Sequence, residues 1–168
     1  MKKELLEKIK RIREFSEKSP INKIYTGLTR VNQQVGIITS GISYLYVMEA
    51  QKELKINLPV FKLGFFYPLA EEKIKSFIKK FKKVLIVEEL EPYLEKEVER
   101  LAKSVNPMLQ IFGKNLPRTE TKFLVRGLIS EVGELKPENI ISALSQISGK
   151  KKTLDFKKHL SEFQKIDF

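Results

Sequence analysis

The chain has 168 residues and carries 32 Lys and Arg against 21 Asp and Glu, which gives a formal net charge of +11. This length favours one domain with a real core, and an apolar content of 42% argues against wholesale disorder. The absence of cysteine excludes disulfides, iron–sulfur ligation, thiolate zinc sites and cysteine nucleophiles within the chain. A single histidine also excludes His-rich metal sites.

The N-terminal segment is predicted to be an amphipathic helix from about Lys3 to Lys18, ending before Pro20. Apolar residues recur in it at helical spacing: Leu5, Leu6, Ile9, Ile12 and Phe15. Lys23 to Thr26 then predicts a short strand. The charged start does not resemble a signal peptide, and polar residues interrupt the longest uncharged run, Val31 to Met48. We therefore expect a cytoplasmic protein.

From residue 35 onward, short apolar runs alternate with amphipathic helical segments. The predicted strands are 35–39, 59–63, 84–87 and 109–112, and the predicted helices end near 54, 81, 105 and 147. In the first of these helices, Leu45, Val47 and Met48 are predicted to face inward. Uninterrupted apolar strands alternating with helices are typical of a mainly parallel sheet covered on both faces. Ile86 and Val87 are expected in a central, buried strand.

The predicted domain organisation is a single α/β domain over residues 1–148, which includes the N-terminal helix within residues 1–20. Residues 149–168 are predicted to form a basic linker and a short amphipathic helix. That segment carries Phe156, Leu160 and Phe163, and His159 beside Lys157 and Lys158. The tail lacks the aromatic interleaving of RNA-binding segments, so a solvated charged face is expected.

Ligands of open parallel sheets bind outside the carboxyl ends of the strands, and four short segments are predicted there. They are Thr39–Gly41, Gly64–Tyr67, Glu88–Glu91 and Gly113–Lys114. Thr39, Ser40 and Gly41 precede a helix, where free backbone amides can hold an anion, but tight-turn and capping roles are favoured. Neither of the familiar glycine-rich phosphate-binding motifs occurs in the chain.

The acidic residues Glu88, Glu89 and Glu91 leave three interpretations open. Paired carboxylates can share a proton or bind a hard metal ion, they can cap the following helix, or they can contact another subunit. Capping or subunit contact is favoured, and no metal site is predicted. The aromatic residues at Phe65 and Tyr67 either lie under the next helix or form part of an interface.

Several motifs together resemble one known family. They are GIITSGISYLYVMEA, YPLAEEKIKSFI, KVLIVEELEPYLEKEV and VGELKPENI, and the segment Val87 to Pro92 is the most specific. In order and spacing they resemble the transketolase C-terminal-like domain of the indolepyruvate ferredoxin oxidoreductase alpha subunit. The resemblance covers roughly Val35 to Ile147. It departs from the family pattern at an insertion, Asn115 to Ser130.

The resemblance implies a three-layer α/β/α domain with a five-stranded, mostly parallel mixed sheet. One strand would be antiparallel, which Lys23 to Thr26 fits. The family oxidises arylpyruvates to acyl-CoA with thiamine diphosphate and iron–sulfur clusters, and both are expected in other domains or subunits. This chain has no Gly-Asp-Gly thiamine motif and no cysteine, so we expect no cofactor in it, no catalytic residue and no metal.

The resemblance therefore implies an assembly module that is not catalytic alone. Its expected partners are a second copy or other oxidoreductase subunits, without membrane or nucleic acid. The candidate strand-end or interface residues are Thr39, Ser40, Gly41, Phe65, Tyr67, Glu88, Glu89 and Glu91. The alternative is a stand-alone basic α/β protein that binds an anionic ligand or nucleic acid. A contiguous basic stripe would favour nucleic acid, whereas a bare apolar patch would favour a subunit.

Overall fold

A computed structural model describes residues 2–27, 34–114, 128–129 and 133–150. Its helices are α1 (Lys2–Lys18), α2 (Ser43–Glu53), α3 (Glu71–Ile78), α4 (Tyr93–Val105) and α5 (Pro137–Ser148). Its strands are β1 (Lys23–Tyr25), β2 (Val35–Ser40), β3 (Val60–Leu63), β4 (Lys83–Val87) and β5 (Gln110–Phe112). The predicted tail helix after residue 150 lies outside the described residues, as does the insertion at 115–130 apart from residues 128 and 129.

The five strands form one mixed sheet in the order β1-β3-β2-β4-β5. β2, β3, β4 and β5 are parallel, and β1 pairs antiparallel with β3, with Ile24 opposite Phe61. The predicted mostly parallel, five-stranded sheet with one antiparallel strand is confirmed. β2 and β4 lie side by side inside the sheet, which explains the apolar runs at 35–38 and 84–87 within them.

Successive side chains of the inner strands contribute to two separate cores. On β4, Leu85 and Val87 pack on the face covered by α2 and α5, whereas Val84 and Ile86 pack on the face covered by α3 and α4. This alternation follows from the two-residue period of a strand. The result is the predicted three-layer α/β/α arrangement, with Ile86 and Val87 fully buried.

Close packing of an aromatic cluster requires a glycine on β2. A Cβ atom at Gly36 would lie 2.7 Å from Cδ2 of Phe81 and 3.0 Å from Cε1 of Phe77. The two rings pack against each other with centroids 4.7 Å apart. Any side chain at position 36 would therefore push the rings away from the sheet.

The exposed face of α2 differs from the prediction. Val47 is buried as expected, but Leu45 is 55% exposed and Met48 is 39% exposed, so the inward orientation predicted for them is wrong. The helix instead buries the face that carries Ser43, Val47, Ala50 and Gln51. Apolar character did not set the orientation of this helix, because two polar side chains occupy its inner face.

α1 is attached to the domain mainly through polar contacts at its C-terminal end. The Glu17 carboxylate accepts the backbone N–H groups of Glu72 and Lys73, at 2.8 and 3.2 Å, at the start of α3. Oδ1 of Asn22, just beyond the helix, accepts the N–H groups of Gly64 and Phe65. The apolar stripe of α1 stays largely exposed, at Leu5, Leu6, Ile12 and Phe15.

We expect Ile86→Ala to lower the free energy of unfolding by about 2–5 kcal/mol, because it removes a fully buried side chain from an inner strand. Chemical denaturation would measure this loss. Met108→Ala is the control, since Met108 is 86% exposed and should change stability by less than about 0.5 kcal/mol. A loss below about 1 kcal/mol for Ile86→Ala would contradict its placement in the core.

Candidate functional site

A crevice opens where the direction of the chain connections reverses. From β2 the chain crosses to β3 on one side, and from β4 it crosses to β5 on the other side. The connections that leave the carboxyl ends of β2 and β4 therefore run in opposite directions, and the crevice between them is the usual ligand position in open α/β sheets. The crevice has a volume of about 500 Å³, and segments 40–43 and 88–91 lie on it together with Phe66 and Tyr93.

Glu88 is the residue that organises one wall of this crevice. It follows β4 directly and is buried. Its carboxylate accepts the backbone N–H of Leu94 at 2.8 Å and that of Glu95 at 2.9 Å. These donors belong to the first turn of α4, whose N-cap residue, Pro92, has no side chain able to accept them. Glu88 thus occupies the capping role among the three interpretations of the acidic residues.

The burial of Glu88 opposes its ionisation. Burial raises the pKa of the Glu88 carboxyl above its ordinary value. The two N–H groups that it accepts lower the pKa, as does the positive charge of Lys114, but burial is the larger effect. The capping carboxyl group therefore ionises less readily than that of a solvent-exposed glutamate.

A second buried carboxylate joins α4 to the end of β5. Glu95 Oε2 accepts the backbone N–H of Lys114 at 2.8 Å, and the Lys114 ammonium donates to the Leu90 carbonyl. The backbone of Gly113 lies against the Glu95 carboxylate, which leaves no room for a Cβ atom there. The sequence predicts Lys114 at a strand end, but nothing in the segment LEKEV distinguishes Glu95 from a solvated helix residue.

The remaining acidic residues face solvent. Glu89 and Glu91 are exposed, and neither has an ion-pair partner among the residues that the structure describes. Leu90 between them is 86% exposed and adopts a left-handed backbone conformation, with φ of 55°. This conformation is uncommon for a residue with a branched side chain. The turn therefore presents an apolar side chain outward between two carboxylates.

The opposite wall is formed by the turn after β2. Gly41 has φ of 58°, and a Cβ there would meet nothing within 4 Å. Thr39 and Ser43 are buried, and their hydroxyl oxygens have no hydrogen-bond partner within the described part of the chain. Ser40 is half-buried. α2 begins with Ile42 as its N-cap, so no side chain caps this helix.

The three aromatic residues after β3 have different surroundings. Phe65 contacts Phe15 of α1 with ring centroids 5.7 Å apart, and Phe66 contacts Tyr93 of α4 at 5.3 Å. Both are half-buried, whereas Tyr67 is 68% exposed. Phe65 and Phe66 are therefore partly covered by α1 and α4, whereas Tyr67 is left on the surface, and the interface alternative stays a prediction.

Together these elements form what we term the carboxyl-edge surface. It contains the exposed apolar residues that line the crevice, the acidic residues beside Leu90, and two exposed residues close in sequence to the lining. These are Ile42, Leu90 and Tyr93, then Glu89 and Glu91, and finally Leu45 and Tyr67. Nowhere in the described ranges do three or more His, Asp or Glu side chains come close enough to hold a metal ion. Within the same ranges, the helices are too short or too polar to cross a membrane.

Glu88→Gln is expected to alter how stability depends on pH. Because the pKa of Glu88 is raised in the folded state, the native protein holds this proton more tightly than the unfolded chain does. The contribution of Glu88 to stability should therefore be greatest at acid pH and fall as the pH rises from 4.5 towards the higher folded-state pKa. Glutamine cannot titrate, so the stability of the wild type relative to the variant should fall across the same window.

Chemical denaturation of both proteins from about pH 4 to pH 7 would measure this difference. Glu91→Gln, which alters an exposed carboxylate outside the cap, is the matched control. The same pH dependence in the wild type and in Glu88→Gln would show that the capping carboxylate is not perturbed.

No family model matches. Three curated relatives are each named indolepyruvate oxidoreductase subunit IorA. The protein of Methanothermobacter thermautotrophicus is 31% identical over 89% of this chain, that of Archaeoglobus fulgidus 30% over 96%, and that of Pyrococcus horikoshii 32% over 96%. The chain spans only 22–23% of the length of these relatives.

A solved structure titled split gene transketolase, inactive beta4 tetramer, matches with a TM-score of 0.50 and 18% sequence identity. The match covers 78% of this chain and 44% of that one, and it supports the fold alone. The resemblance of this chain to the indolepyruvate oxidoreductase alpha subunit is thus confirmed, and nearly its whole length corresponds to less than a quarter of subunit IorA.

Proposed function

We propose that this chain is the transketolase C-terminal-like module of a thiamine-dependent 2-oxoacid oxidoreductase of the indolepyruvate type, and that it serves assembly. The carboxyl-edge surface is the observation that carries the proposal. Leu90 and Tyr67, the most exposed of its apolar residues, are not needed for the core of this domain. Exposed apolar residues grouped around one crevice are typical of a surface that binds another protein.

The cofactors of such an enzyme do not fit the residues of this chain. Iron–sulfur clusters need thiolate ligands, and the sequence has no cysteine. A Gly-Asp-Gly segment of the thiamine-binding kind is absent as well. We therefore assign thiamine diphosphate and the clusters to other domains or subunits, and we assign no reaction step to the side chains described above.

The surface extends beyond the crevice. Phe65 and Phe66 precede Tyr67 of this surface in the chain. Phe65 contacts Phe15 in the exposed apolar stripe of α1, and Phe66 contacts Tyr93 of α4. A partner with apolar side chains and one or two cations would match Leu90 and the carboxylates of Glu89 and Glu91. A second copy of this Lys-rich chain offers such groups. The acidic character of this edge favours a protein partner over nucleic acid.

Leu90→Asn should weaken association without unfolding the protein. Asparagine tolerates the left-handed conformation at this position, so stability should change by less than about 0.5 kcal/mol. Self-association, or binding of the co-expressed subunits, should weaken by about tenfold or more if Leu90 is a central contact. Light scattering after size exclusion, and co-purification from the native host, would measure these effects.

The matched control is Met108→Asn, which changes an equally exposed apolar residue away from the carboxyl edge. Glu89→Lys tests the electrostatic part of the same surface. Unchanged association in both Leu90→Asn and Glu89→Lys would contradict the assembly role of this edge.

The purified chain alone should not reduce ferredoxin when it is given indolepyruvate, coenzyme A, thiamine diphosphate and Mg²⁺. The reason is that the chemistry depends on cofactors for which this chain has no ligands. An absorbance assay of ferredoxin reduction would test this, with an intact oxidoreductase of the family as the positive control. Turnover by the chain alone would overturn the proposed division of roles.

A further inference from the structure

A second cavity lies at the opposite edge of the sheet, where the strands begin. It has a volume of about 460 Å³ and lies at the amino ends of β2 and β4, beside the last turn of α5 and the connection between α2 and β3. We term it the amino-edge pocket. Its apolar part includes Val35, Leu58 and Ile147, and its cationic part consists of Lys55, Lys83 and Lys150.

The walls of the pocket are fixed by backbone hydrogen bonds. The Gln34 carbonyl accepts the N–H groups of Lys82 and Lys83, at 3.0 and 2.8 Å. Val35 and Lys83 are direct neighbours in the pairing of β2 with β4. On the other side, the Gln51 side-chain carbonyl accepts the N–H of Leu58 and holds the connection that follows α2. The pocket is thus preformed, which lowers the entropic cost of binding.

Among the described residues, the charged side chains that line the pocket are all lysines. Three lysines line it, and the described residues contribute no carboxylate to its lining. Some of this positive charge offsets the partial negative charge at the C-terminal ends of α2 and α5, which terminate nearby. That role explains a lysine after each helix, Lys55 and Lys150. It does not explain Lys83, which lies at the start of β4 and is half-buried.

We propose that the amino-edge pocket binds an organic anion that has an apolar body about the size of an aromatic ring and a single carboxylate or phosphate head. The body lies against Val35, Leu58 and Ile147. The head lies among the ammonium groups of Lys55, Lys83 and Lys150. The volume suits a small molecule, and an apolar lining with a few charged groups is typical of small-molecule sites.

Methyl-group NMR of the full chain would test this site directly. The probes are 3-phenylpropionate, 2-phenylethyl phosphate, the neutral 3-phenylpropanamide and inorganic phosphate. At least one of the two organic anions should shift the methyl signals of Val35 and Ile147 in a saturable way. The amide should bind about tenfold more weakly, because it lacks the charge, and inorganic phosphate should not shift these signals. The tighter of the two anions identifies the head as carboxylate or phosphate.

Lys83→Met should weaken binding about fivefold to tenfold while keeping the apolar stem of the side chain. Lys80→Met, which removes an exposed lysine outside the pocket, is the control, and thermal unfolding checks that both variants fold. Three results would overturn the proposal. They are no shift with either anion at millimolar concentration, equal binding of the amide, and equal weakening by the two variants. Because this pocket lies opposite the carboxyl-edge surface, Leu90→Asn should leave anion binding unchanged.

Discussion

The arrangement of the carboxyl edge depends on one buried carboxylate. Glu88 directly follows an inner strand and accepts two backbone N–H groups of the next helix, so it fixes the start of α4 relative to β4. A helix that begins with proline as its N-cap residue has no capping side chain of its own, so the preceding strand supplies the acceptor. The short turn between strand and helix is thereby closed. The residues between Glu88 and Pro92 in this turn are exposed to solvent.

The inward position of Glu88 decides which side chains the turn between β4 and α4 exposes. With Glu88 directed inward, its neighbours Glu89, Leu90 and Glu91 are exposed, and the left-handed conformation of Leu90 completes the reversal of the chain. The Lys114 ammonium donates a hydrogen bond to the Leu90 carbonyl, which connects this turn to the end of β5. The Glu88 cap fixes one end of this turn, and the hydrogen bond from Lys114 fixes its middle. The Leu90 side chain is exposed between these two fixed points. An apolar side chain held this firmly can bind a partner at a low entropic cost.

The sequence predicts the sheet well because the inner strands must be apolar on both faces. β2 and β4 stand out for this reason. The short edge strand at Lys23 is predicted from its own residues, and the resemblance adds that it is the antiparallel one. The orientation of α2 could not be predicted from apolar spacing, because Ser43 and Gln51 lie on its buried face. Gln51 is buried because its side chain holds the backbone of Leu58, a contact that depends on tertiary structure.

In the candidate site, too, local patterns are predictable from the sequence whereas tertiary contacts are not. Three neighbouring glutamates at a strand end predict a cap or an interface, yet sequence alone cannot select which of them turns inward. The alternation of side chains along β4 continues only to Val87, and the turn that follows is set by the position of α4. The contact between Glu95 and Lys114 joins residues 19 positions apart, and no local pattern encodes it.

The two edges of the sheet differ because helices and strands have fixed polarity. In a parallel α/β layer, helix N-termini gather near the carboxyl ends of the strands, and helix C-termini gather near the amino ends. Buried carboxylates such as Glu88 therefore suit the first edge, and lysines such as Lys55 and Lys150 suit the second. The exposed Leu90 and the half-buried Lys83 go beyond what this polarity requires. Residues that the fold does not need are the ones to which binding roles are most reasonably assigned, and each edge of this domain carries one.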